Sequence, residues 1–430
     1  MRRIYSLTVY LLAPLYCAAL LWRGVRERGY LARFAERFGI APALEGESLW
    51  IHAASAGEVQ AAAPLVHALH ERAPDTALVV TTATPAGKAR ARALLERDAA
   101  DVRFAPLDLP GSVRRFLDRV KPRLALVVET EVWPNLFREC GRRGIPLVLT
   151  SARVSERSAR RYRAFRGVVA DALASCTLIA AQTREDALRF ESLGAAPERT
   201  RIVGNIKFDL DLPPALAEKA QALRRRHAPE RALWVAGSTH DGEEQAALDA
   251  HARIERAHPD ALLVLAPRHP PRFDAVASLL AQRGVRFVRR SADRAAAPDT
   301  EVLLLDSLGE LIEFYAAADV AFVGGSLVPI GGHNLLEPAA LGKPILTGPH
   351  TFAGAEIARL LLERGAVQIV RNAQELARAV CSLLASPQLR ARRGAAARAV
   401  LEENRGALER MLALIEPYLE APARRQGAAR

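Results

Sequence analysis

The chain has 430 residues, half of them hydrophobic and a quarter charged, a globular composition that excludes a largely disordered protein. This length is too great for one ordinary hydrophobic core and predicts two domains of about 200 residues each. The 60 Lys and Arg residues outnumber the 48 Asp and Glu residues, and the resulting net charge of +12 predicts an acidic partner: nucleic acid, anionic lipid or a phosphorylated substrate.

The amino terminus carries an uncharged segment from Ile4 to Trp22. Arginines flank it on both sides: Arg2, Arg3, Arg23, Arg26 and Arg28. Its length is close to that of a membrane span, so we expect residues 1–24 to be a retained membrane anchor rather than a cleaved signal peptide. Pro14 leaves open whether the segment crosses the bilayer or lies in one leaflet. The arginines that follow it predict a cytoplasmic location for the rest of the chain.

After the anchor, short Val, Leu and Ile runs alternate with amphipathic segments. The runs lack period-two alternation, which is typical of parallel strands buried on both faces and predicts a doubly wound α/β fold. The predicted strands are Ser48 to Ala53, Ala77 to Thr82, Leu124 to Val128, Ile145 to Leu149, Leu178 to Ala181, Arg201 to Val203, Leu233 to Ala236, Ala261 to Leu265, Val302 to Leu305, Val320 to Val323 and Pro344 to Leu346.

Two Rossmann-like domains follow from this pattern, with the ligand site expected in the cleft between them. Residues 25–208 form the predicted first domain and residues 227–420 the second. The segment 209–226, which contains Pro213 and Pro214, is the predicted linker. Residues 421–430 are rich in Ala, Arg and Gly and are predicted to be a frayed tail.

In the first half, polar motifs follow the predicted strands, where parallel sheets bind ligands. Glu58 stands at the start of a predicted helix, whose dipole favours an ionised carboxylate fit to act as a general base. The alternative is a glutamate that only caps the helix. The hydroxyls of the segment from Thr81 to Gly87 suit a sugar or phosphate, or else form an ordinary helix cap.

A second cluster combines two acids, an indole and an amide: Glu129, Glu131, Trp133 and Asn135. Such groups at the mouth of a buried strand are costly unless they are used or paired. Lys207 lies near the domain boundary, where its charge can stabilise a departing phosphate. A basic run, which fits either a solvated helix face or contact with anionic lipid, comprises Arg153, Arg157, Arg160, Arg161, Arg163 and Arg166.

In the second half, Arg268 follows a strand and can bind phosphate or carboxylate. The segment from Asp306 to Leu311 offers backbone groups for a base edge. Three histidines are expected to lie near one another as hydrogen-bonding or capping groups, without the spacing of a metal site: His240, His269 and His333.

The stretch from Gly324 to Pro349 carries two glycine pairs and then Asn334 to Glu337, where an Ala/Leu-rich helix is expected to begin. Glycine lets a backbone approach an anion closely, and the N–H groups of a starting helix donate to it, so the pattern predicts a phosphate cradle. Glu337 is placed to reach a ribose diol. A plain strand-to-helix connection is the alternative.

Four scattered cysteines, with neither a CxxC pair nor a His–Cys cluster, indicate a reduced cytosolic setting without a structural metal: Cys17, Cys140, Cys176 and Cys381. Aromatic residues make up only 6% of the chain and are not interleaved with Lys and Arg. We therefore expect no nucleic acid partner.

Seven segments stand in order along nearly the whole chain: HAASAGE, ETEVWPN, SARVSERS, GNIKFD, STHDGEE, PRHP and GGSLVPIGGHNLLEP. Together with the amino-terminal anchor, this series resembles the Kdo transferases of lipopolysaccharide synthesis. The resemblance implies an inverting GT-B glycosyltransferase on the cytoplasmic face of the bacterial inner membrane. Its expected substrates are CMP-Kdo, the donor of 3-deoxy-D-manno-octulosonic acid (Kdo), and a lipid A precursor of the lipid IVA type.

The resemblance also implies roles for individual residues. Glu58 matches the proton acceptor, and Glu129 and Lys207 match positions that stabilise the transition state. The implied CMP-binding positions are Pro267, Arg268, Leu308, Gly309, Glu310, Asn334, Leu335, Leu336 and Glu337. No metal or cofactor is implied. Ala54 and Ala56 depart from the family pattern around Glu58, which bears on the fit of the acceptor.

Two alternatives stay open at this stage. The first is a GT-B enzyme that uses another sugar nucleotide, for instance a UDP-sugar. The second is an anchored basic protein that binds lipid or nucleic acid without turnover.

Overall fold

The computed structural model describes residues 2–99 and 101–419. The predicted tail, 421–430, lies outside the described residues. Contacts within the chain divide it into two compact units. Of the described residues, the first unit comprises those up to Asp209 together with 405–419, and the second runs from Leu210 to Asn404.

The elements alternate along most of the chain. The strands are β1 Ser48–His52, β2 Ala77–Thr82, β3 Asp101–Phe104, β4 Pro122–Val128, β5 Leu147–Ala152, β6 Leu178–Ala181, β7 Thr200–Ile202, β8 Leu233–Thr239, β9 Leu262–Pro267, β10 Phe287–Arg289, β11 Val302–Leu304, β12 Val320–Val323, β13 Ile345–Thr347 and β14 Val367–Ile369. The helices are α1 Arg2–Arg26, α2 Ala56–Arg72, α3 Pro85–Leu95, α4 Pro110–Val120, α5 Pro134–Arg142, α6 Glu156–Ala164, α7 Arg166–Leu173, α8 Arg184–Ser192, α9 Leu216–His227, α10 Glu243–Ile254, α11 Phe273–Gln282, α12 Leu311–Ala317, α13 Leu336–Ala340, α14 Ala355–Glu363, α15 Ala373–Ala385, α16 Pro387–Asn404 and α17 Ala407–Leu419.

The first unit is built on a parallel sheet with strand order β3-β2-β1-β4-β5-β6-β7. Leu49, Trp50 and Ile51 of β1 are wholly buried, because helices cover both faces of the sheet. The strand order reverses between β1 and β4. Sheets of this kind bind ligands beyond the carboxyl ends of the strands at such a reversal.

The second unit repeats the design with strand order β10-β11-β9-β8-β12-β13-β14, again parallel throughout. Its order reverses between β8 and β12. The polar motifs after these two strands therefore meet at the equivalent place in this sheet. The predicted doubly wound α/β class is confirmed in both units.

Strands β3, β10 and β14 were not predicted from the sequence. Each lies at an outer edge of its sheet, is short and carries polar or charged side chains, such as those of Asp101 and Arg103 in β3. An edge strand that includes polar residues lacks the continuous apolar run by which the central strands are recognised.

Helix α17 returns to the first unit, whereas its residues were assigned by sequence to the second domain. Met411, Leu412 and Ile415 are buried in the same core as residues of β1 and α2. Asp209 fixes the start of α17, because its carboxylate accepts hydrogen bonds from the backbone N–H groups of Gly406 (2.5 Å) and Leu408 (2.6 Å).

Helix α9 occupies most of the segment predicted to be a linker. It packs on α12 of the second unit, where Lys219 pairs with Glu313 (2.7 Å), and Arg224 pairs with Asp319 between α12 and β12 (3.1 Å). The segment is therefore part of a folded unit, and only a few residues before α9 have the extended, proline-containing character of a connector.

Helix α1 contains the one stretch among the described residues, Arg3–Arg26, that is long and apolar enough to cross a membrane. Most of its surface is exposed, including Ile4, Leu11 and Trp22. This outer surface differs from the rest of the first unit, where large apolar side chains are mostly buried.

Candidate active site

The carboxyl group of Glu58 lies in the first turn of α2, at the point where β1 ends. Its Oε2 accepts a hydrogen bond from the backbone N–H of Ala54 (2.5 Å), and its Oε1 accepts one from the Ser55 hydroxyl (3.3 Å). Ser55 is the N-cap of α2 and accepts from the Glu58 N–H. Glu58 therefore does take part in capping, which was the alternative to a role as base.

The environment of Glu58 is unlike that of an ordinary capping residue. Burial, followed by the charges of Glu131 and Glu129, raises its pKa to about 7, although the hydrogen bonds from Ala54 and Ser55 oppose this shift. A carboxyl group with this pKa exchanges its proton near neutral pH. Such a group can act as a general base.

Glu129 follows β4 on the other side of the strand-order reversal and is buried. Its two oxygens accept separate cations, Lys207 Nζ on Oε1 (2.9 Å) and Arg153 Nε on Oε2 (2.9 Å). Burial acts to raise the pKa of Glu129, but Lys207 and then Arg153 outweigh it and lower the pKa. Glu129 therefore stays ionised and holds both cations in place.

The backbone conformation around Glu129 and Lys207 is unusual, and that of Glu129 is strained. Glu129 has φ of 62°, in the left-handed region that non-glycine residues seldom adopt. Lys207 lies in a short 3-10 turn, Ile206–Phe208, whose start is fixed by a hydrogen bond from the Lys207 N–H to Asn205 Oδ1 (3.1 Å). Strain of this kind is typical of functional sites.

The remaining polar groups of the second cluster are also paired. Trp133 Nε1 donates to Glu131 Oε2 (2.6 Å). Asn135 and the start of α5 are held by buried Asp108, which accepts from the backbone N–H groups of Asn135 (3.0 Å) and Leu136 (2.8 Å). The structure thus satisfies each group of this cluster, as its placement at a buried strand required.

His52 is a buried residue that sequence reasoning did not single out. Its Nδ1 lies 2.9 Å from Thr81 Oγ1, which also accepts from Trp50 Nε1 (2.9 Å). Its ring meets that of Trp133 edge-on at 5.5 Å. Burial lowers the pKa of His52 to about 4, so the ring is neutral at pH 7 and supports Trp133 rather than carrying charge. The only signal in the sequence was a lone histidine inside an apolar strand.

In the second unit, the three predicted histidines do lie together. His240 Nε2 and His333 Nε2 are 2.7 Å apart, and the rings of His240 and His269 have centroids 5.2 Å apart. Arg268 follows β9 directly and is exposed, while Pro267 ends that strand and is buried. The positive charge of Arg268 acts to lower the pKa of each of the three histidines and of Glu337.

The first glycine pair of the loop after β12 does not form the expected phosphate cradle. The fully buried carboxylate of Glu243 fills that position and accepts hydrogen bonds from the backbone N–H groups of Gly325 (2.6 Å), Ser326 (2.9 Å) and Leu327 (2.8 Å). It also accepts from the His240 N–H (3.0 Å). The sequence could not distinguish an external phosphate from a carboxylate supplied by the chain itself.

The second glycine pair, Gly331 and Gly332, closes the turn of this loop through backbone hydrogen bonds. The N–H groups of Gly331 and Gly332 both donate to the Gly325 carbonyl (3.0 and 2.7 Å). Helix α13, which follows, has only five residues, so its end adds little to anion binding. The expected helix end therefore contributes less than predicted, and the positive charge that acts on Glu337 is that of Arg268.

The nucleotide positions implied by sequence differ in what they can offer. Leu335 and Leu336 are buried and present only backbone groups. The Asn334 side chain donates to Glu337 Oε1 (3.1 Å) and accepts from the Leu336 N–H (3.0 Å). Burial raises the pKa of Glu337.

The segment after β11 presents an exposed apolar side chain at Leu308, with Gly309 at φ of 90°. Glu310 is held by the Ser307 hydroxyl and by Arg290, whose Nη2 lies 2.7 Å from Glu310 Oε1. Arg290 was not anticipated from the sequence, because it directly follows an edge strand, β10, that was itself missed. A rigid loop with an exposed leucine at its tip suits contact with a flat base.

Two further features bear on ligands. No group of three or more His, Cys, Asp or Glu residues within the described ranges is arranged to hold a metal ion. A cavity of about 610 Å³ in the second unit lies beside α9 and is lined by Ala318 and Lys343, among others. These residues precede β12 and β13, so the cavity lies at the end of the sheet opposite the predicted site.

Comparisons with known proteins follow the same division of the chain. The family model for 3-deoxy-D-manno-octulosonic-acid transferase (kdotransferase) matches residues 32–210, and the glycosyl transferases group 1 model matches residues 245–400. The chain is similar to a 3-deoxy-D-manno-octulosonic acid transferase of Haemophilus influenzae, at 42% identity over 97% of this chain and 99% of the relative. It is likewise similar to one of Bordetella pertussis, at 38% identity over 97% and 99% of the two chains.

Among solved structures, MurG of Acinetobacter baumannii aligns with 87% of this chain and 100% of its own, at 13% identity and a TM-score of 0.54. At this identity the likeness shows the fold alone. The predicted GT-B type fold, with two Rossmann-like domains, is confirmed.

Proposed function

The chain belongs to the 3-deoxy-D-manno-octulosonic acid transferase family and is a glycosyltransferase, and on that premise we propose that it moves Kdo from CMP-Kdo to a lipid A precursor in lipopolysaccharide synthesis. Glu58 is the proposed general base. The observation that carries this assignment is the half-buried carboxyl group of Glu58, whose pKa is raised to about 7 beside the ionised Glu129.

The proposed reaction is a single inverting displacement. Glu58 takes the proton from a primary hydroxyl of the glucosamine disaccharide as that oxygen attacks the anomeric carbon of Kdo. The new carbon–oxygen bond forms while the bond from Kdo to the CMP phosphate breaks, and CMP leaves with the bonding electrons. Lys207, held by Glu129, is proposed to stabilise the charge that develops.

The second unit is proposed to hold the donor. Arg268 supplies the positive charge for the CMP phosphate, and the segment from Leu308 to Glu310 holds the base. Asn334 to Glu337 is proposed to bind the ribose, partly through the Glu337 carboxyl group. No step in this scheme needs a metal ion or a cofactor, since side-chain cations carry the charge.

The proposed location is the cytoplasmic face of the bacterial inner membrane, where α1 is the anchor. The exposed apolar surface of α1 supports it. A further support is Phe165, which is 69% exposed at the end of α6 beside the exposed residues Arg163 and Arg166. Separation of membrane and soluble fractions tests the location, and recovery in the soluble fraction would contradict it.

Donor turnover tests the activity. With a lipid A precursor as acceptor, labelled CMP-Kdo should give labelled lipid, and UDP-sugars should not. The Glu58→Ala protein should bind CMP normally and lose transfer by about 10²- to 10⁴-fold, the usual range for a general base.

The matched control is Glu71→Ala, an exposed carboxylate near the other end of the same helix. It should transfer Kdo at the normal rate. Near-normal turnover by the Glu58→Ala protein would remove the assigned base. Turnover with UDP-sugars instead of CMP-Kdo would favour the alternative donor.

A further inference from the structure

A group of three imidazoles lies at the strand-order reversal of the second unit, and the proposed mechanism leaves it without a role. His240 follows β8, His269 follows β9, and His333 belongs to the loop after β12. His240 Nε2 lies 2.7 Å from His333 Nε2, with the two rings parallel to within 5° and their centroids 5.0 Å apart. Three elements that are distant in sequence thus bring these rings to one place.

The short contact fixes how many protons the pair carries. Two nitrogens at 2.7 Å need one N–H donor and one lone pair, so the bridge holds one proton. Whichever ring donates, its own Nδ1 is then bare, whereas the accepting ring carries its proton on Nδ1. The neutral pair can therefore take one more proton, at the bare Nδ1, without losing the bridge. The product has one positive charge and two Nδ1–H donors.

Burial, assisted by the nearby cationic side chains, lowers the pKa of both rings and keeps the free pair neutral at pH 7. Burial lowers the pKa of His333 to about 4, and His240, Arg268 and His269 act in the same direction. The pKa of His240 is lowered by burial, then raised in part by Glu243, and lowered again by His269, Arg268 and Arg272. Burial, Arg268 and Arg272 also lower the pKa of exposed His269.

The neighbours of the pair hold it in position. The Glu243 carboxylate accepts from the backbone N–H of His240, and from that of Gly325. A Cβ added at Gly325 would lie 2.8 Å from the His333 ring, so glycine at this position leaves room for the imidazole. The ring pair is thus packed against the loop whose amides Glu243 occupies. Because Glu243 accepts from these amides, they are not free for an anion near Arg268. The imidazoles lie near Arg268, since His269 follows it in the chain and has its ring centroid 5.2 Å from that of His240.

We propose that His240, His333 and His269 form an oxyanion site beside Arg268, and that the His240–His333 pair takes up one proton when an oxyanion of the donor binds there. The oxyanion is either the phosphate of CMP or the carboxylate of the acidic sugar. The proton comes from solvent and stays on the pair while the donor is bound. This inference rests on the proposed function, since it deepens the account of how the donor is held.

Titration calorimetry of the full chain in detergent tests the proposal. Binding is measured near pH 7 in two buffers of different ionisation enthalpy, because the difference in heat gives the number of protons taken up. Cytidine carries no oxyanion, CMP carries the phosphate, and CMP-Kdo carries both the phosphate and the carboxylate. We expect proton uptake approaching one per bound CMP or CMP-Kdo, and none with cytidine.

Substitutions identify the groups that take up the proton. His333→Asn and His240→Asn should abolish the uptake and weaken binding of the anionic ligand by about 10- to 100-fold, the range for a lost charge-assisted hydrogen bond. His269→Asn, which changes an exposed ring, should weaken binding with the least effect on folding. His258→Asn, in the same unit but outside the three imidazoles, is the control and should bind as the unmodified protein does.

The outcomes separate this proposal from the proposed function. The CMP phosphate itself titrates near neutral pH, so only proton uptake that the substitutions at His240 and His333 remove counts in favour. Uptake with CMP-Kdo but not with CMP would assign the site to the carboxylate. Equal uptake by the His333→Asn and unmodified proteins would overturn the inference and leave the transfer reaction standing. Failure of CMP and CMP-Kdo to bind at all would count against the proposed function instead.

Discussion

At the scale of single residues, Glu131 has a separate role from Glu129 although both follow β4. Glu129 is neutralised by Lys207 and Arg153, whereas Glu131 accepts a hydrogen bond from a neutral donor, Trp133 Nε1. After burial, the charge of Glu131 is the largest cause of the raised pKa of Glu58. We therefore propose that Glu131 acts on the base through its charge.

The pH dependence of transfer tests this role. A base with a raised pKa is protonated and inactive below that pKa, so kcat/KM should rise as pH increases through about 7. Glu131→Gln keeps the acceptor for Trp133 but removes the charge, so the pKa of Glu58 should fall. The acidic limb of the profile should then move to lower pH, with activity gained below pH 7 and unchanged at high pH. Glu139→Gln, whose carboxylate is paired with Arg142 and Arg143, should leave the profile unchanged. Coincident profiles for Glu131→Gln and the unmodified enzyme would contradict the role.

At the scale of elements, α1 presents a continuous stripe to the first unit. Its less exposed positions recur every three or four residues: Ser6, Val9, Ala13, Cys17, Leu20 and Gly24. Near its start, the Tyr5 hydroxyl donates to Asp108 (2.8 Å) and the Ser6 hydroxyl donates to Asn135 (2.8 Å). A helix that contacts the same unit along its whole length lies on that unit. Of the two placements that Pro14 left open, we therefore propose that α1 rests in one leaflet with its outer apolar face.

Labelling from each side of the membrane tests this placement. In a protein carrying Cys17→Ser and Cys381→Ser, which removes the two partly exposed cysteines, a cysteine introduced by Arg3→Cys should react with an impermeant maleimide from the same side as one introduced by Ser192→Cys, an exposed position on α8. The buried residues Cys140 and Cys176 should not react. If α1 crosses the bilayer, its first residues lie on the opposite side. Labelling of Arg3→Cys only in vesicles of the opposite orientation would therefore show a span.

The loop after β12 shows how far sequence reasoning reaches for an element. The strand before it and the closeness of the three histidines were predicted, because both depend on where parallel strands end. The carboxylate that accepts hydrogen bonds from the loop amides was not predicted, because Glu243 lies in the first turn of α10, some eighty positions earlier in the chain. A carboxylate and a phosphate satisfy the same N–H groups, so local pattern alone does not separate them.

At the scale of the whole molecule, the sequence predicts the central strands of both sheets. It does not predict that the last helix, α17, packs against the first unit. Buried parallel strands are recognisable in the sequence as apolar runs, independently of which elements pack against them. The sequence of an amphipathic helix does not show which domain the helix packs against, because its apolar face can cover the core of either one. Helix α17 illustrates this, since its contacts with the core of the first unit join residues nearly the full chain length apart.

The stability of the first unit should therefore depend on α17. Leu412 is buried among residues of that core, and Leu412→Ala should lower the free energy of unfolding by about 2–5 kcal/mol, since it removes buried methyl groups and leaves a cavity. Leu188→Ala, at a position 55% exposed in the same unit, is the control and should change it by less than about 0.5 kcal/mol. Hydrogen exchange locates the effect: protection should fall in β1, β4 and α2 and hold in α15. Loss of protection in α15 instead would show that α17 stabilises the second domain, to which its position in the sequence first assigned it.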